Sequence, residues 1–480
     1  MPDRPNLLVV VLDTARADHL PPHRTDLAPR LAHEADRGIV VDAFRSTAPW
    51  TLPSHASLFS GAYPTEHGIH GRAAIRRDAR VATLRAAIER QGERWLPEAL
   101  RRAGYRTWGV SANPWISEPM GFRFGFERFA HVGAAHLRPR SDRGGTAARP
   151  TDRIPAAVRR PAARVARHMI EWRRGIDAGG SRAVALATSL LDDAEEEGGP
   201  PVRPFFGFVN LMEAHVPYAP PPAYNELRGV AGFRAPATSR RRRSYERTLM
   251  YNLGRDLFAP PELETIRALY RGEIRFLDAL VGRLLDDVPA NTVVVITADH
   301  GEALGEHHQL DHQVTMVEQV LRIPLLILGD GPPSHGLTTI RDLTGWLATA
   351  AGLDSRPWEE RRHVPPGVAV AEYESTVAHD RRSVGVARTV GLPSDRLALL
   401  EAEMATATEG SRKLLRIAGV DSLVDAATDE PLADDPAVRE RLAAYLAAVR
   451  STPAPEPPAE GYTAQEEAEM ESRLGQLGYL

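Results

Sequence analysis

The strongest constraint on the fold of this chain is a set of short apolar runs, rich in β-branched residues, with helical stretches between them. The run Leu7–Leu12 (LLVVVL) ends at Asp13, and the run Thr292–Thr297 (TVVVIT) is followed by Ala298 and Asp299. Short runs that are apolar throughout are typical of strands buried on both faces. Their alternation with helices predicts an α/β fold, with a mainly parallel central sheet flanked by helices.

Other segments fit the same alternation. We predict further strands at Arg106–Ser111, Pro204–Leu211 and Ile323–Leu328. We predict helices at Pro97–Ala103 and Pro261–Asp286. In an open parallel sheet, ligands bind beyond the carboxyl ends of the strands. Asp13 and Asp299 each follow a predicted strand, so we expect both at that edge of the sheet.

Composition along the chain indicates three parts. We predict a main α/β domain over residues 1–365 and a smaller C-terminal α+β subdomain over residues 366–450. Residues 451–480 comprise a Pro-rich connector and a predicted terminal helix, Ala464–Gln476. The stretch His136–Val165 is rich in Arg, Pro, Ala and Gly, which indicates an excursion from the core.

Composition also excludes several kinds of chemistry. The 480 residues include no Cys and a single lysine, Lys413. Disulfides, thiolate metal ligands and Cys nucleophiles are therefore excluded. The 59 Lys+Arg against 63 Asp+Glu give a net charge of −4, which argues against binding to nucleic acid. We see no signal-peptide core and no spanning segment, so we expect a cytoplasmic protein without a membrane partner.

The segment Ala48–Gly68 contains the first candidate for chemistry. Pro53 suits the first position of a helix and predicts a helix that continues over Ser54–Ser60, with Thr51 just before it. The N-terminus of a helix favours negative charge, so a metal-bound Thr51 hydroxyl could ionise there and act as a nucleophile. The alternative is that Thr51 only caps the helix.

A second candidate is the segment Thr292–His312, in which Asp299 and His300 follow a strand. Asp, His and a hydroxyl oxygen suit Mn or Zn best, with Mg or Ca as alternatives. The alternative is an ordinary polar loop, but this segment is dense in histidines. It contains His300, His307, His308 and His312.

His215 follows a predicted strand and precedes Pro217. It is either a structural residue or a group that protonates a leaving oxygen in ester cleavage.

Taken together, these segments resemble the sulfatase family, within the alkaline phosphatase superfamily. The segments NLLVVVLDTARADHL, TLPSHASLFSG, ADHGEALGEH and GSRKLLRIAG resemble successive parts of that family, in order, over most of the chain. The resemblance implies an alkaline phosphatase-like catalytic domain with a C-terminal subdomain. It also implies one divalent metal ion, held by Asp13, Thr51, Asp299 and His300.

The chain departs from the family at informative positions. Thr51 stands where sulfatases have a Cys or Ser that becomes formylglycine, and Thr cannot give that aldehyde, so no formylglycine is expected. His55 stands in the place of the signature Arg, and His312 lies near the place of an active-site Lys. A metal-bound Thr is similar to superfamily members that act on phosphorus, such as nucleotide pyrophosphatase/phosphodiesterases and phosphoethanolamine transferases.

We therefore predict a metal-dependent hydrolase of small anionic phosphate, phosphonate or sulfate esters. Thr51 would form the covalent intermediate, and the other predicted catalytic residues are His55, His215 and His312. Two alternatives are a soluble transferase that uses the same intermediate and a metal-binding pseudoenzyme.

Overall fold

The computed structural model describes residues 4–70, 80–133, 177–192, 203–227, 245–375 and 381–451. Strands are numbered in chain order: β1 Asn6–Leu12, β2 Ile39–Val40, β3 Arg106–Ser111, β4 Arg128–His131, β5 Phe205–Leu211, β6 Thr292–Thr297, β7 Ala303–Leu304, β8 Leu310–Asp311, β9 Leu325–Leu328, β10 Val368–Tyr373, β11 Met404–Glu409, β12 Arg412–Ile417 and β13 Val420–Asp425. The α-helices are Pro29–Ala35, Thr51–Ser60, Pro64–His67, Arg80–Glu89, Leu96–Arg102, Gly180–Asp192, Tyr245–Asn252, Pro260–Asp286, Glu318–Leu321, Asp342–Ala350, Arg356–Glu359, Arg381–Thr389, Ser394–Ala398 and Pro436–Arg450.

The large sheet has seven strands in the order β2-β9-β6-β1-β5-β3-β4. The five strands from β6 to β4 are parallel to their neighbours, whereas β9 is antiparallel to both β6 and β2. In the central strand β1, Leu7–Leu12 is completely buried, because helices flank the sheet. The predicted mainly parallel α/β fold is confirmed.

The predicted elements agree with the structure to within two residues at each end. The strands β3 and β6 have the predicted bounds, and β5 and β9 begin later than predicted, at Phe205 and Leu325. The two predicted helices occur as Leu96–Arg102 and Pro260–Asp286. Apolar runs located the strands well because these strands lie in the core of the sheet.

A second sheet, with the antiparallel order β10-β11-β12-β13, lies within the range predicted for the C-terminal subdomain. The helix Pro436–Arg450 packs on this sheet through Leu442, Leu446 and Val449, which lie on one face at helical spacing. Asp435 caps this helix by accepting hydrogen bonds from the amides of Ala437 and Val438.

Two predicted features fall outside the described residues, namely the excursion at His136–Val165 and the terminal helix at Ala464–Gln476. Among the helices that the structure describes, none combines the length and the apolar character needed to cross a membrane.

Lys413 joins the C-terminal sheet to the segment Met316–Glu318 through a buried ionic network. From β12, its ammonium donates to the Met316 carbonyl at 2.8 Å, to Glu318 Oε2 at 3.2 Å and to Asp429 Oδ1 at 2.6 Å. The side chain is fully buried, and Glu318 also pairs with Arg45. Since all three ammonium protons have acceptors, Lys413 fixes the C-terminal sheet against the segment that follows His312.

Replacing Lys413 by methionine should therefore destabilise the protein strongly. The carboxylates of Glu318 and Asp429 would stay buried with one cation fewer, and breaking a buried pair in this way costs about 3–5 kcal/mol. Urea denaturation would measure the loss. Arg412→Met, at an exposed position of the same strand, is the control and should change stability by no more than about 0.5 kcal/mol. Equal effects of the two substitutions would contradict the network's importance.

Candidate metal centre and nucleophile

Three segments meet at the carboxyl edge of the large sheet. Asp13 follows β1, Asp299 and His300 follow β6, and Thr51 begins a helix. Because β1 and β6 are neighbours, their end residues come together, and ligand atoms of Asp13, Asp299 and His300 all lie within 4.8 Å of one another. All four side chains are buried. The structure thus brings the four predicted metal ligands to one place.

Backbone and amide contacts fix the orientation of Asp13. Its amide donates to the Leu211 carbonyl, and Asn113 Nδ2 donates to Asp13 Oδ2 at 2.5 Å. The Tyr270 hydroxyl donates to the Thr14 carbonyl, and this hydrogen bond holds the turn after β1. Sequence reasoning missed Asn113. Its position just after the predicted strand at Arg106–Ser111 is the signal that could have found it.

Each carboxylate has one oxygen held by donors and one that has none. Asp299 Oδ1 accepts from the amides of His300, at 2.9 Å, and Thr14, at 3.3 Å. Asp299 Oδ2 and Asp13 Oδ1 are buried and have no hydrogen-bond donor among the described residues. Burial and the charge of Asp13 raise the pKa of Asp299 well above its ordinary value. Two buried carboxylates with such oxygens fit a divalent cation.

Thr51 is the first residue of the helix, and Trp50 occupies the N-cap position. This corrects the predicted start of the helix, because Pro53 is the third helical residue. The proline is tolerated there, since amides of the first turn have no partner within the helix. Thr51 lies inside the helix and is not its N-cap, and its Oγ1 lies 3.4 Å from His300 Nε2. The capping alternative for Thr51 is therefore wrong.

His300 presents its Nε2 to this site. The ring Nδ1 lies 2.9 Å from the Gly301 carbonyl, which can only accept, so we assign the proton to Nδ1 and the lone pair to Nε2. Burial also lowers the pKa of His300 well below its usual value. A neutral imidazole with a free Nε2 lone pair is the form that ligates a metal.

His55 lies one turn after Thr51, beneath the predicted metal ligands. Its Nδ1 donates to the Thr51 carbonyl at 3.0 Å, and Asn210 Nδ2 lies 3.5 Å from its Nε2. Burial lowers the pKa of His55 to about 4, so the ring is neutral at pH 7. His55 therefore cannot supply the positive charge of the signature Arg. The contacts indicate that it orients the first turn of the helix.

His312 lies beside His300, with 4.4 Å between the ring centroids. Its Nδ1 contacts Asp311 Oδ1 at 2.8 Å and Glu302 Oε1 at 3.0 Å. Burial alone would lower the pKa of His312, but the two carboxylates outweigh burial and raise it well above its usual value. An imidazolium at His312 is the consequence.

The ring of His215 lies 5.4 Å from that of His312, so the two predicted proton donors are neighbours. Burial lowers the pKa of His215. The remaining two histidines of the dense segment point elsewhere: His307 is exposed, and His308 stacks on Tyr251. The density of histidines therefore pointed to the right segment, but only half of its histidines, His300 and His312, lie at the site.

Glu302, Asp311 and His312 form a second group whose ligand atoms lie within 4.8 Å of one another. Sequence reasoning predicted only His312 of the three. Since one nitrogen of His312 contacts both carboxylates, the imidazolium already accounts for this group.

Solved structures that share this fold act on esters of sulfur and of phosphorus, according to their names. One is the phosphonate monoester hydrolase of Agrobacterium radiobacter, with a TM-score of 0.59 and 19% identity over 93% of this chain and 96% of that one. Another is a 2-O GAG sulfatase, with a TM-score of 0.59 and 16% identity over 93% of this chain and 91% of that one. The chain therefore has the alkaline phosphatase-like fold.

The family model named Sulfatase matches residues 5–353, and the chain belongs to the sulfatase family. Among curated relatives, Arylsulfatase K of Canis lupus familiaris is 37% identical over 79 residues, which are 15% of each chain. The multifunctional alkaline phosphatase superfamily protein PehA of Trinickia caryophylli is also 37% identical over 79 residues. The aligned part thus spans about 15% of the length of these relatives.

If Asp13, Asp299 and His300 hold one ion, Asp299→Asn should abolish stable metal binding, because it removes one of two charged ligands. The protein as purified and reloaded with Mn or Zn would be dialysed and its metal content measured by plasma mass spectrometry. Asp311→Asn, in the second group, is the matched control and should keep the metal. A content of two ions that falls to one in Asp311→Asn would contradict a single metal.

Proposed function

We propose that this chain is a metal-dependent hydrolase of small sulfate, phosphonate or phosphate esters, with Thr51 as its nucleophile. The observation that carries the proposal is the placement of Thr51 Oγ1 at 3.4 Å from His300 Nε2, beside two carboxylate oxygens that lack donors. Membership of the sulfatase family supports hydrolysis of such esters. The name of the structural neighbour from Agrobacterium radiobacter supports phosphonate esters as a substrate class.

The residues present fit one divalent ion. Asp13, Asp299, His300 and Thr51 would hold it, and this mixture of carboxylate, imidazole and hydroxyl favours Mn or Zn, with Ca or Mg as alternatives. When bound, the ion lowers the pKa of a hydroxyl and neutralises charge on a substrate oxygen.

The side chains can carry out the reaction in two displacements. Thr51, after losing its proton to solvent, forms a bond from Oγ to sulfur or phosphorus as the bond to the leaving oxygen breaks. His312 passes a proton to that oxygen, which leaves as an alcohol. Water then attacks the same sulfur or phosphorus atom and returns a proton to His312, and the bond to Thr51 breaks. The products are an alcohol and the free acid.

The imidazolium of His312, whose ring lies 4.4 Å from that of His300, supports a role for it in stabilising charge. Lys413, the single lysine of the chain, is buried against Glu318 and Asp429 and cannot contact a substrate. His55 is neutral, because its burial lowers its pKa to about 4. We therefore assign to His312 the charge stabilisation for which the family resemblance implies a lysine.

Thr51→Ala should lose nearly all ester hydrolysis, by a factor of at least about 10³, because no nucleophile remains. The assay would use nitrophenyl sulfate, phosphate, phosphodiester and phosphonate esters, each with Mn, Zn, Mg or Ca. Thr51→Ser keeps the hydroxyl and should retain measurable turnover, with mass spectrometry detecting the adduct on residue 51.

Full activity of Thr51→Ala would overturn the assigned nucleophile. Turnover that appears only with added alcohol or amine acceptors would instead establish group transfer. Absence of turnover on every ester, in protein shown to hold metal, would favour a pseudoenzyme.

His312→Gln should slow hydrolysis by about 10²–10⁴ for alkyl esters, whose leaving oxygens need a proton, and much less for nitrophenyl esters. The comparison is made on kcat for a series of leaving groups of different pKa. His308→Gln is the matched control, since His308 stacks on Tyr251, and its profile should follow that of wild type. A uniform loss across all leaving groups would argue against proton donation by His312.

A further inference from the structure

Two buried carboxyl groups that the proposed mechanism does not use flank the loop that carries His215. Glu213 Oε1 accepts from the Gly180 amide at 2.8 Å, which ties the start of the loop to the helix Gly180–Asp192. Glu273 Oε1 accepts from the Ala219 amide at 2.6 Å, which ties the end of the loop to the helix Pro260–Asp286. The loop is therefore clamped on both sides of His215 by carboxyl groups.

The Glu213 carboxyl sits very close to the start of its helix. A Cβ atom at Gly180 would lie 2.3 Å from Glu213 Oε1, so only glycine allows this approach. Glu213 and Glu273 are only 2% and 1% exposed. Water therefore contributes little to the solvation of either group.

Each carboxyl has a second oxygen without a donor. Within the part of the chain that the structure describes, Glu213 Oε2 and Glu273 Oε2 are buried and make no hydrogen bond. The charge that acts on Glu213 is that of a third acid, Asp177, whereas Glu273 feels the charge of Glu213 first and that of Asp177 second. Asp177 Oδ1 accepts from the Gly179 amide ahead of the same helix. Since the charges that act on Glu213 and Glu273 are those of acids, two ionised carboxylates would repel each other here.

We infer that Glu213 and Glu273 are positioning residues for His215, and that their clamp holds only while the Glu213 carboxyl keeps its proton. Proton loss from Glu213 places a buried charge without a cationic partner behind the loop, and it displaces His215 from His312.

The change in charge of Glu213 falls within the pH range in which proteins are ordinarily studied. Burial and the charge of Asp177 raise the pKa of Glu213 to about 7, whereas burial raises the pKa of Glu273 well above its ordinary value. In an unfolded chain both groups would titrate near about 4.3. Between these values the folded chain binds more protons than the unfolded chain, so stability falls as pH rises towards 7.

The test uses Glu213→Gln, which keeps an oxygen for the Gly180 amide and cannot ionise. Its melting temperature should match that of wild type near pH 5 and exceed it by several degrees at pH 8, because only wild type loses the proton. Glu264→Gln, at an exposed position of the long helix, is the control and should follow wild type at every pH. Parallel melting curves of Glu213→Gln and wild type would overturn the inference.

A second measurement applies if Glu213→Gln fails to fold. Infrared spectra of wild type should show a protonated carboxyl band at pH 6 that is lost at higher pH, and that is reduced in Glu273→Gln. Absence of such a band at pH 6 would overturn the inference as well.

The role in positioning His215 rests on the proposed hydrolase function, and it is tested by a separate kinetic measurement. The kcat of wild type should decline at alkaline pH more steeply for poor leaving groups, and Glu213→Gln should lack that extra decline. In a His215→Gln background, Glu213→Gln should no longer change the profile. If no ester is hydrolysed, the proposed function fails. The melting and infrared measurements still test whether the clamp depends on a protonated carboxyl group. If esters are hydrolysed with the same alkaline decline in both proteins, the positioning role fails alone.

Discussion

Repulsion between Asp13 and Asp299 is the constraint on which the rest of this site depends. Two adjacent parallel strands end in carboxylates, and the sheet buries both where water cannot screen them. Each spare oxygen lacks a donor, and the neighbouring ring of His300 is neutral with its lone pair available. Such an arrangement fits a divalent cation, and Thr51, at the positive end of a helix, lies beside it.

Two positions at which the family resemblance implies positive charge are occupied differently in this chain. Lys413, the sole lysine, is used to dock the C-terminal sheet, and His55 stands neutral where the family resemblance places an arginine. The imidazolium of His312 exists because Asp311 and Glu302 both contact one of its nitrogens. Burial and carboxylates thus set the protonation states of His55 and His312, and burial likewise raises the pKa of Glu213 and Glu273.

Much of the fold and the site could be predicted from the sequence, for identifiable reasons. The strands could be predicted because their apolar runs are uninterrupted. Asp13 and Asp299 could be placed together because ligands of a parallel sheet bind beyond the carboxyl ends of its strands. Helix boundaries were less certain, since a proline is compatible with several first-turn positions, as Pro53 shows. Asn113 and Glu302 were missed because their side-chain contacts, with Asp13 and with Tyr218 and His312, cross a long sequence separation or a turn, which no local pattern encodes.

The sequence by itself determined which chemistry is available: no thiol, one lysine, a threonine where the family resemblance implies the nucleophile, and acids at the ends of apolar strands. Residue types and local periodicity are sufficient for these conclusions. Only the tertiary structure decided the state of each group, that is, which histidine is charged, which carboxylate oxygens lack donors, and that Lys413 is structural. These properties depend on burial and on partners from distant segments, and both are set only when the chain packs.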